Sequence, residues 1–253
     1  MCRWPRGIGR YFRFRVNRSG AAPGRAWRIS PSCRDSIYFH DGQTLFVNLF
    51  VPSTLDWREK GVTVRQETMF PAEDRSQLAI RCDRPTRLEV RVRIPYWAGK
   101  DAAVKVNGKP AAAPPQRGSY LSILRTWKTG DRIDVTLPMK LHVQTMPDDP
   151  GVQAFLYGPL VLAGRLGSEG LTAEAQSSDR MQQVRSHFLR GDAKPAPELR
   201  APSQDPAAWI KPAKDQPLTF HTTGQAQDVT LIPLNRLFGE RYAVYWKVRG
   251  SEG

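Results

Sequence analysis

Between Arg87 and Ile94 the chain alternates strictly between charge and hydrocarbon, with Leu88, Val90, Val92 and Ile94 on one side and Arg87, Glu89, Arg91 and Arg93 on the other. Successive side chains leave a pleated strand in opposite directions, so a period of two predicts a strand with one buried and one wet face. The charged row reads as a solvated face rather than a binding stripe. Runs of the same kind recur at Val62–Thr68, Gln77–Cys82, Ala103–Val106, Gly118–Ile123 and Arg132–Leu137. Turn signals separate them: Phe70-Pro71, Asn107-Gly108 and Thr129-Gly130-Asp131. Strands spaced by about 8–12 residues with no helical period between them predict an antiparallel β-sandwich.

The strongest single stretch is Asp35–Trp57. Ser36–His40 and Leu45–Val51 flank Asp41-Gly42, a pair able to take the backbone angles of a tight reversal, which predicts a β-hairpin. Its second arm is nearly continuous in Leu, Phe and Val, as suits a strand covered on both faces, and Pro52 ends it. Val152–Gly164 is a second apolar run, broken at Gly158-Pro159, and closes the sandwich region. From Arg165 to Pro217 the composition turns to Ser, Gln, Ala, Pro and charge, predicting a linker or long loop. Leu218–His221, Val229–Leu234 and Arg241–Lys247 then read as three further strands, too few for an independent core. The expected organisation is all-β: an irregular, disordered leader over 1–34, a jelly-roll-like β-sandwich over 35–164, a linker over 165–217, a small C-terminal β region over 218–247 and a tail over 248–253.

The formal charge of +14 suggests nucleic acid or an acidic surface only until its distribution is read. Nine arginines and no Lys, Asp or Glu lie in residues 1–34, which leaves 29 basic against 24 acidic side chains in the remainder. Outside the leader the charge is ordinary, and no nucleic-acid partner is expected. No apolar run reaches the ~20 residues of a membrane-spanning helix, and the arginines leave no secretory apolar segment at the N-terminus.

Little in the sequence points to chemistry. Hydrolysis by carboxylates needs two of them facing one bond at a separation of about 5–9.5 Å, whereas the one adjacent pair, Asp148-Asp149, diverges on an extended backbone and reads as a turn. His40, His142, His187 and His221 lack metal-ligand spacing, and His40 beside Asp41 reads as a structural hydrogen-bonding residue. Cys2, Cys33 and Cys82 are too scattered for a disulfide framework or a zinc site, and Cys82 reads as a buried, inert thiol. No catalytic residue, metal ligand or resident cofactor is expected, and a substrate-binding set is not evident. Trp97, Trp127 and Trp246 are candidates for a sugar-binding platform, with core packing the competing use of their rings.

Taken in order, DSIYFHDGQTLFVNLFVPSTLDW, RVRIPYWAG, VNGKP, GSYLSILRTWKTGDRIDVTLPM, AFLYGPLVLAG and RYAVYW resemble the region downstream of the catalytic barrel in β-L-arabinofuranosidases of glycoside hydrolase families 127 and 146. The resemblance runs from Asp35 to Lys247. It implies β-sandwich domains that pack against an (α/α)6 barrel. In the intact family enzyme that barrel holds a zinc-bound cysteine nucleophile, two further cysteines and a glutamate on the metal, and a glutamate acid/base. None of those residues carries over to this chain, because the barrel is absent and Cys33 stands alone in unmatched surroundings. The implied role is an accessory fragment of a retaining enzyme acting on plant-derived glycans, inactive by itself. A free-standing carbohydrate-binding module and a basic nucleic-acid binder are the alternatives.

Ser19–Cys33 can be back-translated so that the frame two bases on reads Trp-Cys-Cys-Thr-Gly-Thr-Gly-Met-Glu-Asn-Leu-Ala-Lys-Leu, which resembles the family's cysteine motif. The expectation is a frameshift near Arg34, with the leader an out-of-frame reading of the barrel's end. The codons of the gene decide it.

Overall fold

The computed structural model describes residues 36–176 and 195–250. The predicted leader, with Cys2 and Cys33, lies outside them, as does His187. The described residues form two compact units that divide between Met139 and Lys140. Apart from a one-turn helix and three short 3-10 turns, their regular structure is all β.

In the first unit the expected hairpin forms with a shorter second arm than Leu45–Val51: β1 (Tyr38–His40) pairs with β2 (Thr44–Val47) in the register Tyr38↔Val47, around Gly42 at φ 77°, and the strand ends at Val47, before Pro52. All four residues of β2 are buried, which suits the continuous apolar run Leu45-Phe46-Val47. The chain then crosses to a second sheet as β3 (Ser53–Trp57), β4 (Val62–Thr68) and β5 (Arg75–Cys82). It returns as β6 (Thr86–Ile94), which lies parallel to β2. Next come the short hairpin β7 (Ala103–Val106) and β8 (Lys109–Pro110), the long strand β9 (Ser119–Trp127) and β10 (Arg132–Thr136). Two sheets result, ordered β1-β2-β6-β9 and β3-β4-β5-β10-β7-β8.

One apolar cluster joins them. Leu45, Val47, Leu88, Val90, Val92 and Leu121 from the first sheet meet Leu55, Val64, Leu78, Ile80, Ile133 and Val135 from the second, all at 4 % exposure or less. This is the expected sandwich, with the inward rows of every alternating run filling the middle. The β7–β8 turn is Asn107-Gly108 at φ 51° and 79°, two left-handed residues in succession, which is the twist a two-residue hairpin needs.

The second unit departs from the expected small appendix. It holds β11 (Leu141–Thr145), β12 (Val152–Tyr157), β13 (Leu160–Arg165), the one-turn helix α1 (Ala173–Gln176), β14 (Leu199–Ala201), β15 (Ile210–Pro212), β16 (Phe220–Thr222), β17 (Thr230–Pro233), β18 (Tyr242–Ala243) and β19 (Tyr245–Gly250). Along the main path the order is β14-β19-β12-β13-β17-β16-β15, with β11 added to β12 and β18 to β13. Val152–Gly164 therefore does not close the sandwich; it is the centre of this sheet, pairing Val152↔Lys247 and Leu162↔Pro233. Nor is 165–217 wholly linker, because Leu199, Trp209 and Ile210 are buried in the second core with Phe155, Leu162, Leu231 and Trp246. Their apolar signals are one or two residues long, too short for any period to be read. Val248–Gly250, expected as tail, are the end of β19.

Candidate functional site

Two of the three candidate platform rings are core. Trp127 has no exposed surface; its Nε1–H donates to the Leu88 carbonyl at 2.9 Å, and the Arg125 guanidinium lies 5.1 Å from its ring. Trp246 is equally buried and occupies the space above Gly164. Trp97 alone is half-exposed, its ring stacked on Phe70 with centroids 5.8 Å apart and planes 17° apart. Phe70 in turn meets Phe50 edge-on at 6.0 Å. Beside these rings in sequence, Met69 is 57 % and Tyr96 63 % exposed. Phe50, Phe70 and Trp97 anchor the group to the sandwich core. The half-exposed Trp97 ring is aromatic surface of a kind that suits the C–H face of a sugar or an apolar side chain.

The outer face of β6 carries a polar cluster centred on Glu89. Its carboxylate accepts from Thr44 Oγ1 at 3.1 Å, Ser122 Oγ at 2.5 Å, and Arg91 Nε and Nη2 at 2.9 and 3.2 Å. Hydrogen bonding from Arg91 and then Ser122 holds the Glu89 carboxyl below the usual range. Arg91 also lies 5.3 Å from the Phe46 ring. Within the charged row Arg87 is exposed, Glu89, Arg91 and Arg93 are half-buried, and Arg91 is paired with Glu89, in agreement with a solvated face. A carboxylate saturated in this way, and held ionised, is poorly suited to protonating a leaving group.

The remaining candidates are structural or inert. Asp149 Oδ1 accepts from Gly151 N at 2.9 Å while the Val152 amide bonds to the Asp149 carbonyl, so the Asp pair makes the exposed turn that was expected. His40 packs 4.9 Å from Trp57, His142 Nδ1 lies 3.3 Å from the Lys140 carbonyl, and His221 bridges to Thr230 Oγ1 at 3.1 Å across β16 and β17. Cys82 is buried; burial pushes its thiol up, and Asp131 and Asp83 push the same way, the opposite of what a metal ligand or nucleophile needs. Among the described residues no three His, Cys, Asp or Glu side chains gather into a metal-holding group, so these residues do not fit the zinc of the resembled family. No helix among them is long and apolar enough to cross a membrane.

Two polar groups were not foreseen. Gln66, on the inward face of β4, is 2 % exposed and donates from Nε2 to the carbonyls of Leu49 and Val51 at 3.0 and 2.7 Å. It satisfies an apolar segment that has left its sheet. The second is Asn107, which donates to Asp131 Oδ1 at 2.7 Å and accepts from Arg132 N at 2.8 Å, tying two predicted turns together. Burial opposes ionisation of Asp131, but the Asn107 side chain, the Lys128 amide and the nearby Arg125 and Lys128 charges outweigh it and hold the carboxyl low. Only the out-of-phase polarity of Gln66 in an alternating run gave a signal in the sequence.

Comparison with known proteins places both units. Residues 44–139 match the family model for the β-L-arabinofuranosidase, GH127 middle domain. This chain carries a GH127 middle domain. Residues 142–248 match a further domain of unknown function, DUF4986, so the two family regions meet where the structure divides. A non-reducing end β-L-arabinofuranosidase from Bifidobacterium longum subsp. longum is 25 % identical over 251 residues, covering 89 % of this chain and 37 % of its own length. Among solved structures, a GH127 β-arabinofuranosidase superposes with a TM-score of 0.59 at 20 % identity, over 88 % of this chain and 37 % of that one. The GH127 β-L-arabinofuranosidase of Geobacillus stearothermophilus T6 superposes with a TM-score of 0.56 at 21 % identity, over 86 % and 36 %. The chain thus spans little more than a third of the length of these relatives, and the solved structures share its fold.

Proposed function

We propose that the GH127 middle domain and its C-terminal neighbour act as the non-catalytic β scaffold of a β-L-arabinofuranosidase-like glycoside hydrolase, and that the 253-residue chain does not cleave glycosides by itself. The observation that carries this reading is the alignment of both units, in order, with about 37 % of an arabinofuranosidase. The site chemistry supports it, since Glu89 and Asp131 are saturated by hydrogen bonds and Cys82 is a buried protonated thiol. In the intact protein the scaffold packs on a helical barrel that supplies the nucleophile and the metal. The test is incubation of the purified chain with an aryl β-L-arabinofuranoside: no release above the uncatalysed background is expected, and saturable release overturns the proposal.

The half-exposed Trp97, with Tyr96 beside it, favours carbohydrate binding as a second reading. Titration with arabinan or arabinose oligosaccharides separates the two. Binding abolished by Trp97→Ala in a protein of unchanged fold marks a binding module, and absence of binding leaves the scaffold role.

A further inference from the structure

On the middle strands of the six-stranded sheet the inward residues are buried, while Arg65 of β4, Arg81 of β5 and Arg132 of β10 stand exposed on the outer face. Strand register brings the three together. Ala79 of β5 lies opposite Arg65 on one side and opposite Arg132 on the other. Arg81 is two residues further along β5, on the same face, opposite Thr63. With strands ~4.8 Å apart and alternate residues ~6.8 Å apart, the three arginine Cα atoms lie within about 10 Å of one another around a single methyl group.

Arg65 is ion-paired with Glu67 at 2.8 Å. Among the described residues, the side chains of Arg81 and Arg132 form no ion pair. Like charges gathered round so small a side chain repel one another, and an anion seated between them relieves the repulsion. On the fourth side is Gln77, opposite Glu67 on β4 and Asp134 on β10, with its Nε2 donating to Asp134 Oδ1 at 2.8 Å. We propose that Arg65, Arg81 and Arg132 form a seat for a carboxylate of an acidic polysaccharide, a uronate residue placed over Ala79 with its hydroxyls toward Gln77, Glu67 and Asp134.

Guanidinium groups match a carboxylate in plane and in hydrogen bonding. The acids on the fourth side select among polyanions. A nucleic-acid duplex carries one charge per ~1.7 Å and would run its next phosphates onto Glu67 and Asp134. A uronate polymer carries one charge per sugar, and its hydroxyls donate to those same carboxylates. The outer residues of β4, β5 and β10 include no aromatic ring on which a base could stack. The choice of a glycan rests on the scaffold role in a glycoside hydrolase, whereas the seat itself rests on the sheet register.

Calorimetric titration of the full chain with a galacturonate oligosaccharide tests this. A single site per chain is expected, weakening as salt rises, and the methyl-esterified oligosaccharide, which keeps rings and hydroxyls but loses the charge, should not bind. Arg65→Gln/Arg81→Gln/Arg132→Gln should weaken binding ~10-fold or more, whereas Arg87→Gln/Lys214→Gln/Lys247→Gln, removing the same charge at exposed positions elsewhere, should change it less than about twofold. Both variants keep residues 1–34, so attraction by those arginines cannot produce the difference. Ala79→Glu retains all three arginines but sets a carboxylate between them, and should abolish binding at an unchanged circular dichroism spectrum. Absence of binding overturns the proposal. So does equal loss in the two triple variants, undiminished binding by Ala79→Glu or of the esterified sugar, or duplex DNA bound through the same three arginines. None of these outcomes alters arabinofuranoside release, so the scaffold role stands or falls separately.

Discussion

Gly164 illustrates how a single position carries tertiary information. A Cβ there would overlap the Trp246 ring and come within 2.8 Å of Val229 Cγ1. Gly164→Ala should therefore destabilise the second unit by about 1–3 kcal/mol, as overpacking does, readable in the tryptophan fluorescence of a denaturant melt. Gln66→Ala should cost a similar ~1–3 kcal/mol for a different reason, because the carbonyls of Leu49 and Val51 lose the donor that satisfies them. Tyr38 supplies a pH handle. Burial raises its phenol to about 12 from the ordinary 10, only partly offset by its hydrogen bond with Ser53. A folded value above the unfolded one means the contribution is intact below pH 10 and is lost as pH climbs through 12, on the order of 2–3 kcal/mol. Tyr38→Phe should flatten the fall in unfolding free energy over that window. Glu89 works in the opposite sense. Its carboxyl is held low, so its contribution is present above the unfolded value and disappears as pH falls through the folded one, and Glu89→Gln should remove that acid dependence.

At the scale of elements, alternation was the reliable guide. Leu88, Val90, Val92 and Ile94 lie on the buried side of β6, at 2 % exposure or less, while Arg87, Glu89, Arg91 and Arg93 line the other. Leu88→Ala should cost about 2–5 kcal/mol in a denaturant melt, whereas Arg87→Ala should stay within ~0.5 kcal/mol. Turns were equally legible, because Asn107-Gly108 and Asp41-Gly42 are residue pairs suited to positive φ. Strands lacking such a signature were missed. β14 and β15 are three residues each within a polar stretch, and their identity rests on what they pair with rather than on any local preference. The parallel pairing of β2 with β6 is likewise invisible locally, since the partners are 45 residues apart and the run of sequence between them belongs to the other sheet.

For the whole molecule, the expected boundary after Gly164 moves to Met139/Lys140 because apolar continuity cannot say which core a run will join. Val152–Gly164 has the composition of a buried strand wherever it is placed; Phe155 and Leu162 become part of the second core through Leu199, Trp209 and Trp246. Charge also belongs to this scale. Outside residues 1–34 the basic side chains number 29 against 24 acidic ones, and of the arginines on the wet face of β6, Arg91 is engaged with Glu89. A gel-shift series with duplex DNA should accordingly show no steeply salt-dependent binding by a chain lacking residues 1–34.

The amino-acid order alone determined the all-β class, the turn positions, the inward row of each alternating strand and the family to which the middle domain belongs, because all of these are written in contiguous residues. Tertiary structure decided which strands share a sheet, where one core ends and the next begins, which tryptophans are buried, and that Gln66 and Asn107 bridge distant backbone. Those outcomes follow from contacts between residues far apart in the chain. No local period or propensity encodes them, since a short apolar run carries no mark of which core it will join.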